Sequence, residues 1–132
     1  MPKSQLSSPL LAAPNGHFAQ ATTAPGAGRL VFISGMTARN VDGTITGIGD
    51  ITAQTHQVCR NLRAAVEAAA GTLDDIARVD VYVRNIEDFA KIHVVRQEYF
   101  ASDPPASTMV EVSKLANKDY LIEINAIAIV AE

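Results

Sequence analysis

The segment YLIEINAIAIV, residues 120–130, constrains the fold of this chain more than any other. It is rich in β-branched residues, and a strand points successive side chains to opposite faces. One face carries Tyr120, Ile122, Ile124, Ala126 and Ala128. The other carries Leu121, Glu123, Asn125, Ile127 and Ile129. A strand with one wet face alternates apolar and polar, whereas this one is apolar on both sides apart from Glu123 and Asn125. It therefore needs cover on both faces.

Helices can supply one cover. Between Asp50, a good N-cap, and Gly71, an expected stop, the residues Thr55, Val58, Leu62, Ala65, Val66 and Ala69 form one stripe at helical spacing. This predicts a helix over 51–70. A second helix is predicted over 86–100, capped by Asn85, with Phe89, Ile92, Val95 and Tyr99 on one side; Pro104 and Pro105 forbid its continuation. The remaining strands are HFAQATT at 17–23, LVFISG at 30–35, the alternating RVDVYVRN at 78–85, and STMVEV at 107–112. GAGR at 26–29 makes a turn, and NVDGTITGIGD at 40–50, with its Asp42-Gly43 pair, reads as a hairpin-like excursion. The order is β-β-α-β-α-β-β: an α+β domain over 16–132, preceded by an arm over 1–15 with no sustained period. Two helices cover one sheet face. Association with further copies of the chain is the expected cover for the other.

The bulk properties narrow the class of function. The 132 residues suit one domain, and a net charge of −3 with scattered Lys and Arg argues against a nucleic-acid groove. No apolar run reaches membrane-spanning length, and the proline-broken first residues make a poor signal peptide, so a cytoplasmic protein is expected. The single cysteine, Cys59, forms no intramolecular disulfide and reads as a small buried helix residue. His17, His56 and His93 fall in different elements without ligand spacing, so no metal is expected.

Glu123 is the sharpest candidate for chemistry. A carboxylate in so apolar a strand is costly unless it is paired or used, and burial raises a carboxyl pKa toward the range of a general acid or base. The alternative is a sheet-edge position or an ion pair with a nearby Arg or Lys. Ser34-Gly35 ends one strand and Ser107-Thr108 begins another; backbone N–H groups and hydroxyls at strand ends can hold a carboxylate or oxyanion, although spacing alone favours ordinary strand-end polarity. No GxSxG or GxxxxGK[ST] motif occurs.

Taken in order, GHFAQA (16–21), LVFISG (30–35), QTHQVCRNLRAAVEAAAG (54–71), VDVYVRNIEDFAKI (79–92), YF (99–100), PASTMVEVSKL (105–115) and IEINAIA (122–128) resemble the Rid, or YjgF, family of reactive intermediate deaminases. The resemblance implies a chorismate-mutase-like α+β fold, with a mixed sheet and two helices on one face. It also implies a homotrimer with a ligand cleft at each subunit interface, and hydrolysis of imines and enamines such as 2-iminopropanoate without a cofactor. Glu123 matches the family glutamate that positions or activates water, and Gly35 and Met109 match ligand-contacting backbone positions. The chain also departs from the pattern. Ser107 stands where archetypal members carry the arginine that grips a substrate carboxylate, Phe18 replaces a tyrosine, Met36 a glutamine and His93 an asparagine. Without that fork, 2-imino acids are expected to bind poorly. Arg39, Arg84 or Arg96 of a neighbouring subunit could replace it. The expected substrate-binding set is thus Phe18, Ser34, Gly35, His93, Ser107, Thr108 and Met109. The function implied is a divergent imine or enamine deaminase, for which an aminomuconate-like enamine would fit as substrate; the alternative is a ligand-binding regulatory trimer without turnover. A nuclease-like role conflicts with the acidic balance.

Overall fold

The doubly apolar strand lies inside the sheet, with a neighbour on each side. In the computed structural model, which describes residues 3–11, 13–14, 17–24, 26 and 28–132, the chain runs β1 (Ser4–Leu6), β2 (Ala21–Thr23), β3 (Gly28–Met36), α1 (Ile51–Ala68), β4 (Ile76–Val83), α2 (Phe89–Tyr99), β5 (Ala106–Glu111) and β6 (Ile122–Ala131). The main sheet has the order β3-β6-β4-β5. β6 is antiparallel to both neighbours, while β4 and β5 are parallel, so the sheet is mixed. The parallel pair needs a crossover, and α2 provides it. Parts of the arm and of the turn at 26–29 lie outside the described residues.

Alternation along β6 and β4 sorts the two faces. Ile122, Ile124, Ala126, Ala128 and Val130 are buried together with Val79, Val81 and Val83, under α1 with its buried Val58, Leu62 and Val66. Burying each of these Val, Leu and Ile side chains contributes about 1.5–3 kcal/mol. The opposite face is open. On it Leu30 stands beside Ile129 and Phe32 beside Ile127, and Leu30 and Phe32 keep 60% and 73% of their surface exposed. Residues of β6 on this side are only half-buried.

Several local expectations change in detail. Asp50 caps α1, its Oδ1 accepting from Ala53 N at 3.1 Å. The left-handed residue that ends this helix is Ala70, at φ 64°, with Gly71 N donating back to Val66 O at 3.0 Å. Gly71 is required for a different reason: a Cβ there would lie 2.7 Å from Val130 Cγ2. The second helix opens as a 3-10 turn, Ile86–Asp88, with Asn85 accepting from Glu87 N; the α-helix proper starts at Phe89, which is left exposed. The strand expected over 17–23 shortens to Ala21–Thr23, because the chain before it is drawn toward α2. Ala19 N bonds Pro105 O at 3.2 Å, and His17 Nε2 lies 2.5 Å from Phe100 O. The arm adds a strand absent from the predicted order, β1 on β2. Lys3 anchors it, with Nζ donating to Asp74 O at 2.6 Å and forming an ion pair with Asp103 at 3.7 Å.

Buried Gln54 ties the layers together. Its amide donates to Gly47 O at 3.1 Å and Asp119 O at 2.8 Å, and its Oε1 accepts from Leu121 N at 2.9 Å. This joins the hairpin, α1 and the chain leading into β6.

Candidate active site

Glu123 sits on the open face of β6, where β3 breaks register. The β3–β6 pairing shifts between Ile33 and Met36, which puts Ser34 and Gly35 in a bulge. Bulges re-aim the strand locally and recur beside functional sites. A Cβ on Gly35 would fall on the Glu123 carboxylate, 2.7 Å from its Cδ and 3.0 Å from its Cγ. The carboxylate therefore lies across the Gly35 backbone, in space that only glycine leaves free. Among the described residues Glu123 has no hydrogen bond and no ion pair. The ion-pair alternative finds no partner among the described residues: of the two cations on the same face, Arg78 pairs with Asp80 at 2.8 Å, and Arg84 forms no ion pair with Glu123, its buried Nε having no hydrogen bond. Ser34, beside Gly35, is exposed.

A second group of predicted residues meets elsewhere. Phe18, His93, Ser107 and Met109 line a cleft of about 190 Å³, together with His17, Phe89 and Arg96. Phe89, His93 and Arg96 follow one another at i, i+4 and i+7, so they share a face of α2. Ser107 and Met109 are two apart on β5 and point toward that face. Phe89 stacks on His93 with ring centroids 5.9 Å apart, and His17 meets His93 edge-on at 5.7 Å. Since a carbonyl only accepts, His17 Nε2 bears the hydrogen directed at Phe100 O.

The cleft is cationic. Arg96 is 6% exposed; its Nη2 donates to Ser107 Oγ at 3.0 Å, and among the described residues its Nε has no hydrogen-bond partner. Burial lowers the Arg96 pKa from its usual value, although a guanidinium stays charged at pH 7. The His93 pKa is also lowered, first by loss of water and then by the neighbouring His17 and Arg96. That imidazole is neutral at pH 7.

The predicted residues thus divide. The cleft lining includes neither Gly35 nor Glu123. Thr108 belongs to neither group: the pleat turns it to the open face, where its Oγ1 accepts from Arg78 Nη2 at 2.7 Å. Arg78 and Asn125 both bond Asp80, at 2.8 and 3.3 Å. Arg96 lines the cleft of its own chain. His17 and Phe89 were not anticipated there; the 89/93/96 spacing on one helix was the available signal for Phe89. A broader depression of about 530 Å³ runs from Gly35 to Val41 along α1, but its Asn61 amide is already engaged with the Thr37 and Arg39 carbonyls. Among the described residues no cluster of three or more His, Cys, Asp and Glu could hold a metal, and no helix is long and apolar enough to cross a membrane.

Comparison with known proteins places this geometry. The chain matches the family described as Endoribonuclease L-PSP over residues 10–130. A RutC family protein of Pyrococcus horikoshii is 44% identical over 115 residues, covering 87% of this chain and 88% of the relative. A protein of Dermatophagoides farinae named 2-iminobutanoate/2-iminopropanoate deaminase is 33% identical over 129 residues, 98% of each chain. The solved structure of a conserved Rid family protein of Yersinia pestis, of unknown function, superposes with a TM-score of 0.89 at 31% identity, covering 98% of this chain and 100% of that one. With that likeness, the two helices on a mixed four-stranded sheet are the chorismate-mutase-like fold expected from the sequence.

Proposed function

The chain belongs to the Rid family, also described as endoribonuclease L-PSP, and from that premise we propose that it is a hydrolytic deaminase of reactive imines and enamines. It works without a cofactor. The observation that carries this reading is the Glu123 carboxylate lying across Gly35 with no partner among the described residues. Its free lone pairs can hold a water against an electrophilic carbon. Water then adds across the C=N bond: its oxygen joins the carbon, and one proton passes through the carboxylate to nitrogen. The carbinolamine transfers its hydroxyl proton to nitrogen and loses ammonia as the ketone forms. An enamine enters the same sequence after protonation at carbon. The D. farinae relative's name, a 2-imino acid deaminase, supports this reaction class.

The working unit of this proposal is a homotrimer with interfacial sites in the cytoplasm. Two observations support the assembly. The open sheet face carries an uncovered apolar patch of Leu30, Phe32, Ile127 and Ile129. Glu123 and the α2–β5 cleft lie on different faces of one chain, so an adjacent copy is needed to complete the site. In that arrangement Phe18, His93, Ser107 and Met109 hold the substrate of one cleft, and Ser34, Gly35 and Glu123 of the next subunit face it. Thr108 contributes through its backbone alone.

The regulatory alternative keeps the trimer and lacks turnover; Ser107 and Phe18, at the arginine and tyrosine positions, favour it. Glu123→Gln decides between the two. Ammonia release from freshly generated enamines should fall roughly a hundredfold or more, the scale for losing a positioned acid–base group. The melting temperature and the trimer, followed by light scattering, should stay near wild type. Unchanged turnover would remove Glu123 from the mechanism, and a monomer at micromolar concentration would remove the interfacial site.

A further inference from the structure

We infer that Arg96 is the carboxylate receptor of the cleft, so that the substrate is an imino acid, or its enamine form, gripped from helix α2. The inference takes the reacting group of the ligand from the deaminase reading, but carboxylate binding itself does not depend on turnover.

Four observations on the cleft lead to a carboxylate. First, Arg96 is 6% exposed and lines the cavity, yet among the described residues its Nε has no hydrogen-bond partner. A buried cation without a counter-charge is unfavourable, and an anion that fits beside it relieves that cost. Second, the described residues provide no counter-charge. The remaining cleft residues are His17, Phe18, Phe89, His93, Ser107 and Met109, with no Asp or Glu among them. The ionisable neighbour that acts on Arg96 is Cys59, and burial pushes that thiol up to about 12, so it is uncharged at pH 7.

Third, the donors converge. Ser107 Oγ accepts from Arg96 Nη2 at 3.0 Å. Its own hydroxyl hydrogen therefore remains to donate to a ligand oxygen, next to the guanidinium. One carboxylate oxygen on Arg96 and the other on Ser107 matches the planar spacing of that group. Fourth, the walls are aromatic. Phe18, Phe89 and the His93 ring surround a space of about 190 Å³, which suits a small organic acid with a planar or apolar body. A phosphate needs several donors around three oxygens, and one guanidinium with one hydroxyl supplies few.

Ser107 thus reads differently from the sequence expectation. It is not merely the absence of a β5 arginine; it is the hydroxyl that a guanidinium arriving from α2 bonds. The carboxylate site persists, built from a different element.

The test is an NMR-detected titration of the full-length protein with 2-oxobutanoate, the keto acid matching the relative's 2-imino substrate, and with its methyl ester. The acid should bind at least tenfold more tightly than the ester. Arg96→Met should weaken the acid at least tenfold and leave the ester unchanged, while Arg96→Lys should retain part of the acid preference. If Arg96→Met does not fold, the wild-type acid-to-ester ratio still decides. Equal binding of acid and ester, or wild-type acid affinity in folded Arg96→Met, overturns the proposal. Displacement of the acid by equimolar inorganic phosphate overturns the carboxylate assignment. Acid binding that requires Arg96, in a protein that releases no ammonia from any enamine, supports the receptor and refutes the deaminase reading alone.

Discussion

Gly35→Ala separates the position of the Glu123 carboxylate from the stability of the strand that carries it. Gly35 is not among the glycines with positive φ, which are Gly43, Gly47 and Gly49, so an L-residue meets no backbone penalty there. The obstacle is contact. The new Cβ would stand 2.7 Å from Glu123 Cδ, whereas carbon atoms rest at about 3.5–4.0 Å. The carboxylate must move by about 1 Å to restore that distance. Glu123 is half-exposed and unpartnered, so the move breaks no hydrogen bond. An off-rotamer side chain costs about 0.5–1.5 kcal/mol, and the loss of glycine freedom in the unfolded chain returns about 0.4–1 kcal/mol. Net stability should therefore change by less than about 1 kcal/mol, a shift of a few degrees in melting temperature. Turnover should suffer far more, because a misplacement of about 1 Å costs roughly a hundredfold. The assay is ammonia release from freshly generated enamine, alongside a thermal melt. The double variant Gly35→Ala/Glu123→Gln should be no slower than Glu123→Gln alone, since the glycine acts through the glutamate. Full turnover in Gly35→Ala, or a collapse in melting temperature, would refute this reasoning.

Two further predictions test the frame and the cleft. Gln54→Leu removes three hydrogen bonds and leaves Leu121 N and Asp119 O without their partner; urea unfolding should show a loss of about 2–4 kcal/mol with the slope unchanged. The His93 pKa, lowered in the free protein by desolvation, His17 and Arg96, should rise when a carboxylate offsets the Arg96 charge. By linkage the acid then binds more tightly as pH falls from above the liganded pKa to below the free one. An imidazole titration that is the same with and without 2-oxobutanoate would sink that coupling.

The legible parts of the chain were those whose pattern is local. Helix α1 announced itself through its apolar stripe and Asp50, β4 through strict alternation, and β6 through its two apolar faces. Each follows from side-chain period and capping, which operate within a few residues. Glu123 stood out for the same reason, as a lone charge in an apolar strand. Helix ends were less legible: glycine is the usual left-handed residue, yet Ala70 holds that conformation and Gly71 is needed for the approach of Val130. The arm's strand was invisible, because β1 has no period of its own and depends on Lys3 reaching Asp74 and Asp103, far along the chain.

The sequence by itself determined the layers, the order of elements after the arm and the presence of a carboxylate requiring an explanation. Tertiary structure decided which chemistry-bearing residues meet. The pleat of β5 sends Ser107 and Met109 into the cleft and Thr108 to the other face. The β3 bulge lays Gly35 under Glu123, and the packing of α2 brings Arg96 to a serine eleven positions away. Such meetings depend on register and on the direction in which a helix crosses a sheet, set by the packing of the whole core rather than by any short stretch of residues.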